Sequence, residues 1–333
     1  MNKSKILTWI LAILLIVMGV CAWVMFSGVT GFSGSSYANA DKYEAGDTKI
    51  SSPVENLAVN WTEGFVRIEY HPGSEILVSE SSPKTISEDD RLRWWLDGKT
   101  LRIQYAKSGI RLSWNLQKTL TVSLPEGTVL KSADIEATSA DITVSDLVAE
   151  EVILGSTSGN VTASTVTQKL TAGATSGDMN IRQDSVIDSA YLHSTSGSIA
   201  CTLDVATSVN IESTSGGISL AVTDCADSVR MHSTSGNVYA DLSSAEKTEL
   251  SSTSGSITAS LGAFKDLKID STSGNVTAAL PGEPGLTCSV GTTSGSFSSE
   301  LELAKNGSTY TCGDGSAACS IHTTSGDVKI LGR

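Results

Sequence analysis

Aromatic side chains make up only 5% of this 333-residue chain, and charged ones only 18%. Aromatics ordinarily supply much of the buried area of a globular core. A core here must therefore be thin and built from small and β-branched side chains. Clustered lysine and arginine are missing too: no basic stripe runs anywhere, and the formal net charge is -13. Binding a phosphate backbone depends on such clusters, so nucleic acid is excluded as a partner. Histidine occurs only four times, and no Gly-x-Ser-x-Gly elbow sits between a strand and a helix, which argues against a nucleophilic triad. An EF-hand loop and the Gly-Gly-x-Gly-x-Asp calcium repeat are both absent. Cysteine is sparse and odd in number outside the N-terminus: Cys201, Cys225, Cys288, Cys312 and Cys319. An exported chain can pair such residues, but one is left over.

Long apolar runs are confined to one place. Lys3 and Lys5 precede an uncharged stretch from Ile6 to Phe26, long enough to cross a hydrocarbon core of about 30 Å. The two lysines put the N-terminus in the cytoplasm and the rest outside. This predicts a cytoplasmic tip (1–5), a transmembrane signal-anchor (6–26) and a flexible Gly/Ser/Ala-rich tether (27–45). The alternative is secretion after cleavage near Ala40, since Ala38-Asn39-Ala40 is a small-x-small peptidase site. Cys21 as a lipoprotein site is disfavoured by Val20 before it. The chain ends Ile330-Leu331-Gly332-Arg333 with no wall-sorting tail, so anchoring is expected from the N-terminus. A lysine-flanked anchor of this kind suits a bacterial cell envelope.

What the chain has in abundance is a repeat. Thr-Ser-Gly recurs with its glycine at 159, 177, 197, 216, 236, 255, 274, 295 and 326. A degenerate copy, Thr138-Ser139-Ala140, precedes them. The spacing is about 19–20 residues except for an insertion before the last. With each glycine as position zero, apolar residues fall at -7 and -5 (Val209 and Ile211, Leu267 and Ile269) and at +2, +4 and +6 (Ile218, Leu220 and Val222). Period-two alternation means strands with one buried face. Each repeat reads as strand, Ser-Thr-Ser-Gly corner, strand and polar return loop. Glycine suits the corner through φ > 0 or through close backbone approach. The residue after it is a turn former such as Asn160, Asp178 or Ser256. Serine at -3 shares the buried parity and is expected to bond to its counterparts along the stack.

One such unit cannot bury its own apolar face, so neighbours must stack. The expected fold is all-β: a parallel-stacked β-solenoid over 131–333 behind an irregular N-terminal β cap over 46–130. The cap carries the aromatic-rich segments and a clear turn at Leu124-Pro125-Glu126-Gly127.

The stretch Leu120-Thr-Val-Ser-Leu-Pro125, followed by units such as Ser158-Gly159-Asn160-Val161, Ser273-Gly274-Asn275-Val276 and Ser325-Gly326-Asp327-Val328, resembles the DUF4097 family of adhesin-like envelope proteins. The likeness covers roughly 50–331. It implies a β-strand-repeat fold and an adhesin-like role, and it brings no catalytic residues.

The residues themselves point the same way. The +1 aspartates Asp141, Asp178 and Asp327 are not on adjacent coils and read as turn residues, so no acidic cluster of a polysaccharide-active enzyme forms. Position -4 carries His193, Glu212 and His232 on successive coils, then Ser251 and Asp270, with His322 at the last. That column is either an ordinary charge ladder between strands or a site able to bind a transition metal or answer mild acid. No catalytic, cofactor or metal site is assigned. Cys288 and Cys319 share position -7, and Cys312 competes for Cys319, so a stapled C-terminal end is expected. The leading expectation is a non-catalytic anchored surface module that contacts a cell-wall or host glycan or an envelope protein. The second is an envelope-stress accessory or scaffold.

Overall fold

The computed structural model describes residues 34–110, 115–282 and 285–333. The anchor read over 6–26 lies outside these residues. Within them no helix is long and apolar enough to cross a membrane, and the only helical pieces are two 3-10 turns, Ala40–Lys42 and Glu88–Asp90. Everything else regular is strand.

Six long strands form the body: Val161–Ala174, Met179–Ser194, Ile199–Ser213, Ile218–Ser233, Val238–Ser252 and Ile257–Ser271. Each pairs in parallel with the one before, one coil per level. The repeated pattern fixes this register, because counterparts lie directly over one another: Ile199 on Ile218, Ile218 on Val238, Val238 on Ile257. Side chains at +2, +4, +6, -7, -5 and -3 are buried along the body, as in Ile218, Leu220, Val222, Val229, Met231 and Ser233. The segment read as a polar return loop is strand as well. It contributes its own buried residue at +9 or +10, as Ile187, Ala206, Ala226 and Ala245 do. A strand with one buried face buries every second residue. The steps of three or four residues on either side of it are therefore bends that turn the chain inward, giving each coil two long walls and a short one.

The corner settles which property of glycine is used. None of the Thr-Ser-Gly glycines has a positive φ. Instead, each peptide rests on the corner peptide of the level before. A Cβ at Gly177 would stand 1.9 Å from the Gly159 carbonyl oxygen, and one at Gly236 2.0 Å from that of Gly216. Only a hydrogen fits there. The -3 serines also act differently from expectation. Ser252 Oγ accepts the N–H of Gly255 in its own corner (2.9 Å) and donates to the Gly236 carbonyl one level away (3.2 Å). Ser156, Ser233 and Ser252 thus satisfy backbone groups rather than one another, while the buried Ser194 and Ser213 hydroxyls make no hydrogen bond. At +1, Asp178 Oδ1 accepts the N–H of Ser198, and Asn237 Oδ1 that of Ser256, a side-chain ladder along the outside of the same corner.

Parallel stacking reaches further toward the N-terminus than the Thr-Ser-Gly mark. The strand Leu130–Ser156 pairs in parallel with Asn56–His71, with Ala140 opposite Gly64. Asn56–His71 in turn pairs in parallel with Thr100–Gln104 and Thr119–Pro125. The region read as an irregular cap therefore contains two regular levels. Its antiparallel strands Thr48–Ile50, Ile76–Ser81 and Arg93–Asp97 cover the outer edge, as an exposed strand edge requires. Residues 34–45, read as the end of a tether, also pair with this region: Gly34–Ser35 with Gly109–Ile110, and Glu44–Ala45 with Arg93–Trp94.

Both ends are threaded out of chain order. At the N-terminal end the outermost level is 100–125 and the next inward is 56–71. At the other end, the last strand Val328–Gly332 lies between Val276–Leu280 and Phe297–Ser299. The corners follow suit, with Gly326 over Gly274 and Gly295 over Gly326. The antiparallel strand Thr309–Cys312 covers the first residues of Leu286–Thr292.

Aromatic burial is concentrated at the N-terminal end. Lys118 and Glu80 form an ion pair there (2.5 Å) with side chains 0% and 3% exposed. Lys118 Nζ also donates to the carbonyls of Asp90 (2.6 Å) and Tyr105 (2.5 Å) and lies over the rings of Trp61 and Tyr105. A buried ammonium needs such complete pairing.

Candidate functional site

Two outward columns bring chemistry-bearing side chains together. The first is position -4. His193 pairs directly with Glu212, Glu212 with His232, His232 with Ser251, Ser251 with Asp270, and Asp270 with His322. The ladder read from the sequence is thus present residue for residue. Its members turn to local partners. His232 Nδ1 is 2.8 Å from Ser251 Oγ, Asn210 Nδ2 donates to Glu212 Oε1 (3.1 Å), and the His193 ring stacks on Tyr191 with centroids 5.4 Å apart. His193 leans over Gly173, where a Cβ would meet the ring at 2.3 Å. Burial pulls both imidazoles below the ordinary histidine range, and the Glu212 carboxylate opposes this. No group of three or more His, Cys, Asp or Glu able to hold a metal ion occurs among the described residues. The geometry is that of a half-buried charge ladder.

The second column is position +3 on the wall that follows the corner. Asn180, Ala200, Ser219 and Tyr239 are direct register partners on four successive levels. Beside them at +1 stand Asp178, Ser198, Gly217 and Asn237. The small residues at Ala200, Ser219 and Gly217 leave a shallow recess between Asn180 and Tyr239, lined also by Met179, Ile199 and Ile218. Three level spacings of about 4.8 Å make it about 14 Å long. Gly217 opens it further: the nearest atom to a Cβ there is 3.7 Å away. Tyr239 closes one end with 44% of its surface exposed. Asn and Asp groups rim the recess, small side chains floor it, and one aromatic ring stands at its end. Sequence reasoning missed this site. The signal was the outward run Asn-Ala-Ser-Tyr, visible only once repeats are aligned column by column.

Residues 54–266 and 262–331 match the Toastrack DUF4097 family. The chain belongs to that family. The Toastrack match spans nearly the whole described region and agrees with the resemblance read from the Ser-Gly-Asn/Asp units. Three solved structures overlap with it. A candidate adhesin from Bacteroides fragilis is 14% identical, covering 91% of this chain and 100% of its own, with a TM-score of 0.34. A candidate adhesin from Parabacteroides distasonis is 11% identical, covering 90% of this chain and 99% of its own, with a TM-score of 0.38. A candidate cell adhesion protein from Clostridium sporogenes is 11% identical, covering 87% of this chain and 100% of its own, with a TM-score of 0.20. Overlaps this loose pass no property of those proteins to this Toastrack chain. No curated protein matches it.

Proposed function

We propose that this Toastrack chain is a membrane-anchored, non-catalytic envelope module that contacts glycan through the recess between Asn180 and Tyr239. The apolar run 6–26 serves as the anchor, and the stack stands outside the cytoplasm. The observation that carries the reading is the recess itself. An exposed tyrosine ring offers a face for the C–H side of a sugar, and the flanking Asn, Asp and Ser groups offer hydrogen bonds to hydroxyls. A few placed polar groups around an apolar floor is the usual composition of a small-ligand site. The recess is shallow and solvent-open, so each contact is weak. Strength comes from several contacts made at once by molecules held on one surface.

The test is saturable binding of the full-length chain, held in detergent or nanodiscs, to isolated cell-wall sacculi and to a glycan array. Tyr239→Ala is expected to weaken binding about tenfold, the loss typical of an aromatic anchor at a contact centre, with the melting temperature unchanged. Binding that ignores Tyr239→Ala would move the contact elsewhere. Binding to neither material would sink the glycan reading and leave the envelope-stress scaffold, with protein partners.

A further inference from the structure

Cys288 and Cys319 lie on the strands Leu286–Thr292 and Ala317–Thr323, and the two residues are direct partners in the parallel register. Their sulfurs are 2.9 Å apart, and the residues are 0% and 5% exposed. Direct partners on adjacent strands have Cα atoms about 4.8 Å apart, inside the range of about 4.4–6.8 Å that a disulfide spans. Closing the sulfurs to about 2.05 Å takes a small side-chain rotation and no backbone movement. The other described cysteines have no such partner in register: Cys312 stands opposite Leu286, Cys201 opposite Ile181 and Leu220, and Cys225 opposite Val205. The competition between Cys312 and Cys288 for Cys319 is thereby decided on geometry.

We propose that Cys288 and Cys319 form a disulfide that staples the outermost coil to the level built by the last strands of the chain. The two levels are neighbours in space but reversed in chain order, and the bridge closes the segment containing the hairpin Ala304–Asn306 and Thr309–Cys312. A cross-link stabilises by restricting the unfolded chain, and here it also holds the exchange of coils in place. The hydrogen bond to Cys288 and burial both hold the Cys319 thiol far above the ordinary range. Thiolate is the reacting form, so Cys319, buried and held protonated, reacts poorly once folded, and the bridge forms while the terminal coil is closing. One thiolate attacks an external disulfide, supplied by a low-molecular-weight thiol or an oxidoreductase, and expels one of its thiols. The second thiolate then displaces the other. In sum, two cysteine thiols lose two electrons and two protons, and the external disulfide becomes two thiols. Placement outside the cytoplasm bears only on where that oxidant comes from.

The test refolds the full-length chain in detergent with oxidised glutathione, alkylates it under denaturing conditions with N-ethylmaleimide, and maps it by mass spectrometry without reduction. The expected product is one linked peptide pair joining Cys288 to Cys319, lighter by two hydrogens, with Cys21, Cys201, Cys225 and Cys312 alkylated. Alkylation of all six cysteines, or a link through Cys312, overturns the proposal. The same wild-type chain should melt about 5 °C higher oxidised than reduced, and Cys319→Ser should lose that redox dependence. An unchanged melting temperature in a chain that carries the bridge would overturn its role as a staple.

Discussion

At the scale of single residues, the corner glycines and the column histidines carry the most consequence. Gly236 has no room for a methyl group because the Gly216 carbonyl oxygen occupies its place. Gly236→Ala should therefore force the two levels apart and cost about 2–3 kcal/mol by overpacking, measured as a shift in the denaturation midpoint. Gly217→Ala, one residue on from a corner glycine, meets nothing closer than 3.7 Å and has no positive φ. It should change stability by less than about 0.5 kcal/mol or raise it slightly through the unfolded chain. The sequence placed glycine at the corner and offered two reasons; only the packing between levels chooses one. The same holds for Ser156, Ser233 and Ser252, whose buried parity was legible but whose partners were not, since one bond of each runs to a backbone carbonyl of another coil. His193 and His232 give a pH dependence of definite sign. Burial depresses both below the ordinary value near 6.5, so the unfolded chain takes up these protons first as pH falls. Their contribution is fully present above about pH 6.5 and is lost as the pH drops toward the depressed values. His193→Asn with His232→Asn should shrink the fall in melting temperature between about pH 7.5 and about pH 5 relative to wild type.

At the scale of elements, the coil was readable where the alternation is strict and unreadable where it breaks. The +2 to +6 and -7 to -3 strands announced themselves by period two. The short wall did not, because Ala206, Ala226 and Ala245 sit among Asp, Ser and Thr at steps of three or four. The first two levels escaped for a different reason. They lack Thr-Ser-Gly, and antiparallel strands interrupt them, so that only the paired register shows Gly64 beneath Ala140. Their stability rests partly on the Lys118–Glu80 pair. Glu80→Gln leaves a buried ammonium uncompensated and should cost about 3–5 kcal/mol, with loss of the near-ultraviolet signal of Trp61 and Tyr105 as a local readout. The double change Lys118→Met with Glu80→Leu should recover most of that loss, because apolar replacements of such pairs are often close to neutral.

At the scale of the whole molecule, twelve levels stack among the described residues, from the corner at Gln117–Lys118 through Gly64, Ala140 and the repeated glycines to Gly326 and Gly295. At about 4.8 Å per level the stack is about 53 Å long. If residues 6–26 hold this body to a bilayer, carbonate washing of membranes should leave the full-length chain in the pellet, and protease added outside intact cells should reach its exposed loops. Release into the wash would instead favour cleavage near Ala40. The threading of the two ends bears on any pull that such an anchor transmits. A strand at the end of an ordinary stack peels away one hydrogen bond at a time. Here Asn56–His71, the strand that enters the stack after the short antiparallel strands Gly34–Ser35, Glu44–Ala45 and Thr48–Ile50, is held by a ladder on each flank, and so is Val328–Gly332 at the other extremity. Once those short strands have given way, force along the chain must shear two ladders together before the stack yields, so the body behaves as a stiff strut whose weakest points lie outside the stack.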